Sequence, residues 1–458
     1  GFELFDDAPA KEIISKRIDI SSFDPIVKEL QQCIQQLIGK HLSVLKKELQ
    51  ENEDLKVFSD RISTIYRLLC IQEYSTLETE SEEVSDLLWE KLLEGNSVIC
   101  CKEAFLISQL TSSFSSLCIQ LVNPLLVVPD QLVKRIQKVD RAHMMGAPVI
   151  ITTALHQEFE KLRQKNQNRM KSVQCTGKHL QVPEKFQYNV MDSKTLKNKI
   201  LVFDNLTQPK PMSVPQFQME IYEKKQPIIF HASNAHWKAF RKWRDLSLWC
   251  KEYGHHLVPI EIGRLDPLKS KEKTSWKESV FTFQDYIHQF IQPNVELCQG
   301  NELPGPLDHD KIGYLAQHHL FDQFPSLKED FDIPPYCKVS QEGQDMDHVK
   351  MNAWFGTQDT VTSLHFDSYD NFLTQIFGYK YVRLYPPTES ENLYPIQGET
   401  SNQSITKQNN ISPVDVENPD YTKYPKSKDA EYVECILGPH DMLYIPHQWW
   451  HYVRSLTP

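Results

Sequence analysis

The chain has no Cys-x-x-Cys pair, although it holds 10 cysteines in 458 residues. They are scattered, which excludes a paired-cysteine zinc knuckle and offers no small disulfide framework. A reducing compartment is expected. Positive charge is also short: 50 Lys and Arg face 61 Asp and Glu, a formal net charge of -11. That argues against direct nucleic-acid binding, which needs clustered cations to displace counterions. A basic protein substrate would still be drawn to such a surface. The N-terminus, Gly1-Phe2-Glu3-Leu4-Phe5, lacks the basic and then apolar run of a signal peptide, and it lacks an initiator Met, as a fragment would. The most apolar stretches, 117–128 and 147–155, read as too short and interrupted to span a bilayer. No membrane association is expected, and the reading is an intracellular protein of the nucleus or cytoplasm.

At 458 residues, 40% of them hydrophobic, the chain is long enough for two or three domains with a substantial core. Its texture changes near residue 200. Before that point apolar residues recur at helical spacing, with Ile26, Leu30, Cys33, Ile34 and Leu37 forming one stripe. Leu87, Leu88, Leu92 and Leu93 contribute to another. Residues 1–200 are therefore expected to be a helix-rich region, with 161–178 a helix end running into a linker. Beyond it, 227–230, 256–262, 371–377, 379–385 and 441–446 are short runs of β-branched and aromatic residues bounded by turn formers. Residues 201–458 are expected to be a β-rich domain, a sandwich or barrel of which the jelly roll is one form. The polar stretch 386–429 reads as a long excursion loop tethered by Tyr394, Val414 and Val416.

One pair stands out among 17 histidines. H-x-D occurs only at His365-Phe366-Asp367. In a strand, residues two apart share a face, so both side chains can grip one metal ion from the same side. A second His from a later strand would complete two imidazoles and one carboxylate, the facial arrangement that leaves positions open for cosubstrate and oxygen. His440, His447 and His451 compete for that place. His440 follows a Gly-Pro turn and is expected to be exposed, whereas His451 lies in an aromatic run that packing would fix, so His451 is preferred. His156-Gln157-Glu158, in the helical half, reads as surface chemistry, because residues two apart on a helix do not share a face.

Several stretches then fall into a known order. Thr362-Ser363-Leu364-His365-Phe366-Asp367, Asn371-Phe372-Leu373, Gly378-Tyr379-Lys380-Tyr381-Val382 and Trp450-His451-Tyr452-Val453 resemble the JmjC family of oxygenases in sequence and spacing. Ile312-Gly313-Tyr314-Leu315 and Ala353-Trp354-Phe355-Gly356 add to the likeness, which runs over roughly residues 220–456. The resemblance implies an α+β chain whose catalytic half is a double-stranded β-helix, a cupin-like jelly roll with its last strand apparently missing. It implies Fe(II) held by His365, Asp367 and His451, with 2-oxoglutarate and O2 as cosubstrates. Lys380 would pair with the distal carboxylate of 2-oxoglutarate, with hydrogen bonds from Tyr314 and Thr362. Asn371 would hold the end nearer the metal, and Trp354 would wall the pocket; Tyr314 and Trp354 could equally be core aromatics. Strict alternation puts Ser363, not Thr362, on the face of His365, so Thr362 contributes only if the strand carries a bulge.

For the substrate, Glu261 matches a family position implicated in gripping a guanidinium, and Trp276 would stack on the same group. The segment Leu265-Asp266-Pro267 departs from the family pattern between them. The expected activity is hydroxylation of an arginyl side chain in a protein. The alternatives are methyl-lysine demethylation, or a truncated chain that binds proteins without catalysis. The basic cluster 269–273 reads as solvated loop rather than a nuclear signal.

Overall fold

The computed structural model describes residues 25–52, 55–70, 72–93, 99–122, 129–165, 181–186, 196–208, 210–264, 276–299, 305–339, 349–396 and 410–458. The chain divides into two compact units: one runs to Gln174 and includes His255–Val258, and the other holds the remainder. Residues 265–275, the departing segment and basic cluster of the sequence reading, lie outside the described residues, as do the N-terminus and most of the expected linker.

The described residues of the first unit form six helices: α1 (Pro25–Glu51), α2 (Val57–Cys70), α3 (Tyr74–Leu93), α4 (Ile99–Val122), α5 (Pro129–Met144) and α6 (Val149–Lys165). On α1 the buried seam is Val27, Leu30, Ile34 and Ile38, with Cys33 and Leu37 at its margin. Ile26 is exposed, so the stripe sits one residue further round than its most apolar-looking start suggests. Leu88 is buried and Leu87 exposed, by the same logic. Part of α4, Cys101–Leu121, is long and apolar enough to cross a membrane, although its apolar stretches look short and interrupted in the sequence. Most of that stretch is buried within the protein, and it serves as a core helix. Several of its buried hydroxyls are satisfied within the helix: Ser108 donates to the Phe105 carbonyl and Thr111 to that of Ile107, whereas Ser112 and Ser113 find no partner among the described residues.

The described strands form three four-stranded sheets, all of them in the second unit except Leu257 and Val258, which open the strand Leu257–Ile262 and belong to the first. Strands β1 (Leu201–Asp204), β2 (Ile228–His231), β11 (Asp441–Ile445) and β8 (Asn371–Thr374) form one, in that spatial order. A second is ordered β10 (Val433–Leu437), β9 (Lys380–Tyr385), β12 (Trp450–Ser455), β7 (Val361–His365). The third is β4 (Lys277–Thr282), β3 (Leu257–Ile262), β5 (Gly313–His318), β6 (Ala353–Gly356). All the pairings outside β1–β2 for which a register is defined are antiparallel.

Ile229, Leu443 and Ile445 from the first sheet meet Val382, Leu384, Leu437 and Val453 from the second, giving a shared apolar interior. Period-two alternation turns Tyr381 and Tyr385 to the opposite face, where they pack with Trp450, Tyr452, Val414 and Val416. Val414 and Val416 thus tether the described part of the excursion loop, with Tyr394 packed beside them. The eight described cysteines with an assigned state are all free thiols.

Candidate metal and cosubstrate site

His365 ends β7, Asp367 follows two residues later beyond the strand, and His451 stands on β12 directly opposite His365. Antiparallel pairing brings the two imidazoles to a centroid distance of 4.1 Å. The Asp367 carboxylate lies 3.9 Å from His365 Nε2 through Oδ1 and 3.7 Å from His451 Nε2 through Oδ2. One ligand atom from each residue falls within 4.8 Å of the other two. Neither rival histidine joins them. His440, half-buried rather than exposed, stacks on Phe240 at 4.0 Å, and His447 faces Asp370 at 3.5 Å.

Each imidazole is oriented by its own backbone. His365 Nδ1 lies 2.8 Å from the Ser363 carbonyl and His451 Nδ1 lies 3.0 Å from that of Trp449. A carbonyl can only accept, so Nδ1 carries the proton in both rings and Nε2 presents its lone pair to the shared space. Burial, and then the neighbouring His365, push the His451 pKa down to about 4, so this ring is neutral and able to ligate at pH 7. Asn371 Nδ2 donates to Asp367 Oδ2 at 2.9 Å, and Gln448 N–H to the Asp367 carbonyl at 2.8 Å. This hold on the carboxylate was not legible in the sequence, where Asn371 was assigned to the cosubstrate. Asn371→Ala is expected to lower metal affinity about 10- to 100-fold, measured by iron titration of the full chain. Unchanged affinity would show that Asp367 needs no such support.

A buried cation stands on β9, the strand paired with the β12 that carries His451. Lys380 is 8% exposed, on the inward face of β9 with Val382 and Leu384. Its Nζ sits 5.5 Å from the centroid of the Tyr314 ring, and burial pushes its pKa down to about 8. No carboxylate pairs with it among the described residues. An ammonium sealed in protein without a counter-ion is costly, and a cosubstrate carboxylate would satisfy it. Tyr314 Oη and Thr362 Oγ1 are 3.4 Å apart next to it.

The bulge that Thr362 requires is present. Two steps on β12, from His451 to Val453, face three steps on β7, from His365 to Thr362. The extra residue returns Thr362 to the face of His365. Tyr314 packs closely enough on Gly356 that a Cβ there would meet its ring at 2.7 Å. Tyr314 is buried, while Trp354 is 39% exposed and so not a core aromatic.

Glu261 lies opposite Tyr314 across the β3–β5 pair, and Trp276 Nε1 donates to its Oε2 at 3.3 Å. The two candidate substrate residues are thus in contact, with Trp276 buried. In this state the indole engages the carboxylate edge-on through its N–H.

A family model described as a cupin-like domain matches residues 214–458. The chain is 29% identical over 459 residues to JmjC domain-containing protein F of Dictyostelium discoideum, covering 89% of this chain and 91% of that one. It is 39% identical over 249 residues to lysine-specific demethylase 8 of Danio rerio, which covers 53% of this chain and 54% of the relative. Lysine-specific demethylase JMJ30 of Arabidopsis thaliana is 37% identical over 264 residues, 58% of this chain and 55% of that protein. The chain therefore spans about half the length of these two demethylases.

Proposed function

The chain belongs to the cupin-like JmjC family of Fe(II)- and 2-oxoglutarate-dependent dioxygenases, and we propose that it hydroxylates an arginyl side chain of a protein substrate. The observation that carries the choice of substrate is the Glu261 carboxylate, held by Trp276 and set opposite Tyr314. A carboxylate accepts two parallel hydrogen bonds from a guanidinium, which a lysine ammonium cannot supply.

His365, Asp367 and His451 would hold the iron, and Lys380, Tyr314 and Thr362 the distal carboxylate of 2-oxoglutarate. When bound, this pair supplies oxidation of a C–H bond: R–H, O2 and 2-oxoglutarate give R–OH, CO2 and succinate. The protein's own work is positioning. Asn371 fixes the carboxylate ligand, the two backbone carbonyls fix the rings, and Asp367, with 43% of its side chain exposed, marks the open side where a substrate arrives. Glu261 would anchor the guanidinium so that a side-chain methylene, not the charged head, lies over the metal.

Two of the relatives are named as lysine-specific demethylases, which keeps methyl-lysine as the second reading. The same oxidation at an N-methyl carbon gives an unstable product that releases formaldehyde. Mass spectrometry of Arg-containing and methyl-lysine peptides separates the two. We expect a gain of one oxygen on arginine, and Glu261→Gln should cut kcat/KM for the Arg peptide by about 10- to 100-fold, the value of one charge-assisted contact. Methyl loss with formaldehyde, indifferent to Glu261→Gln, would overturn the arginyl assignment.

A further inference from the structure

Far from the JmjC site in sequence, the first unit holds another convergent set of ligand atoms. Asp140 on α5 is completely buried, and around it stand His156 on α6, 3% exposed, and His256, 2% exposed. His256 belongs to the segment His255–Val258 that is part of this unit. Asp140 Oδ1 lies 2.9 Å from His156 Nε2 and 3.0 Å from His256 Nδ1, and one ligand atom from each of the three residues lies within 4.8 Å of the others.

The supporting groups are also in place. Leu257 N–H donates to Asp140 Oδ2 at 2.9 Å, and His256 Nδ1 reaches both carboxylate oxygens, Oδ1 at 3.0 Å and Oδ2 at 3.2 Å, while His156 faces Oδ1. The far nitrogen of His256, Nε2, faces Glu160 Oε1 at 3.4 Å. That carboxylate is itself fixed by His255 Nε2 at 2.8 Å and Arg163 Nε at 2.6 Å. A carboxylate behind the imidazole that faces a metal is the usual way such rings are oriented. His156 is the telling member. Both of its ring nitrogens are buried without a hydrogen-bond partner, even though Nε2 is 2.9 Å from Asp140. The two atoms are close but not aligned as donor and acceptor. A purely hydrogen-bonded network would leave this imidazole unsatisfied in the core.

We propose that Asp140, His156 and His256 form a second metal site, for a divalent ion of the zinc class, that ties His255–Val258 to α5 and α6. Two imidazoles and a carboxylate are ligands suited to zinc, and a tetrahedral shell sets neighbouring ligand atoms about 3.3 Å apart. The two carboxylate–imidazole pairs, at 2.9 and 3.0 Å, need to open by about 0.3–0.4 Å, and the ligand atoms of the two rings lie within 4.8 Å of each other. A water in the fourth position completes the shell. This reading is independent of the proposed activity and goes beyond it.

The test uses the full chain with His365→Ala and Asp367→Ala together, so that the JmjC site cannot account for bound metal. After chelation, the protein is titrated with zinc by calorimetry and bound metal is counted after dialysis. We expect one equivalent to be retained, and retention to fall with at least about 100-fold weaker affinity in Asp140→Asn. His156→Gln supplies a second variant should the first fail to fold, with circular dichroism confirming the helices. Cobalt substitution should give the intense visible bands of a tetrahedral ion. No zinc retained by the parent, or equal retention in a folded Asp140→Asn or His156→Gln, would overturn the site and leave a hydrogen-bonded cluster.

Discussion

His365→Ala is expected to abolish succinate release from 2-oxoglutarate, with or without peptide, while leaving the fold intact. The ring is only partly buried, and β7 is held by pairing to β12 on either side of the bulge. Removing it therefore costs little packing. It does remove one of three ligands, and the remaining His451 and Asp367 cannot enforce the open facial arrangement. Loss of even a group that supports a metal ligand costs about 10- to 100-fold, so loss of the ligand itself should exceed the upper figure. His440 and His447 offer no rescue, being engaged with Phe240 and Asp370. Iron titration and succinate measurement on the same preparation check this. Turnover persisting in His365→Ala would refute the assignment of the ligands.

That prediction could have been written from the sequence, where H-x-D occurs only at His365-Phe366-Asp367, although the strand expected to hold both ends at His365, and Asp367 reaches the same space from beyond it. His451 needed a further argument about burial, and the structure brings it opposite His365. Other features of the site depend on pairings that no local pattern encodes. The bulge that aims Thr362 inward arises between strands far apart in the chain, and alternation within β7 pointed the other way. The hydrogen bond from Asn371 to Asp367 crosses a turn whose geometry the residue types do not specify.

The helical half shows the same limit more sharply. His156 read as surface because its neighbour Glu158 lies two residues on, off its face. The structure buries it, and its partners are Asp140 and His256, which reach it through tertiary packing. Periodicity located the helices and mislaid their seam by one residue on α1, where Val27 rather than Ile26 is inside. Apolar character was the same at both positions, so only the packing partner could decide.

Lys380→Met is expected to weaken 2-oxoglutarate binding about 10- to 100-fold, the worth of a charge-assisted hydrogen bond lost from a buried carboxylate. Met preserves the stem that packs beside Val382 and Leu384, so the change isolates the charge. The unliganded protein should not lose stability, because the substitution removes an ammonium that is buried without a carboxylate partner among the described residues. The pH dependence gives an independent check. Burial lowers the Lys380 pKa from 10.5 to about 8. Between those values the unfolded chain holds more protons than the folded one, so raising pH across this window favours the folded, unliganded protein. Binding runs the opposite way. The cosubstrate carboxylate selects the charged form, so affinity is steady below about pH 8 and falls above it, by up to tenfold per unit. Lys380→Met should flatten that fall. Calorimetric titration with 2-oxoglutarate at pH values on both sides of 8 measures both effects. Wild-type affinity in the variant would show that another cation receives the distal carboxylate. A steep fall surviving in the variant would place the titrating group elsewhere in the pocket.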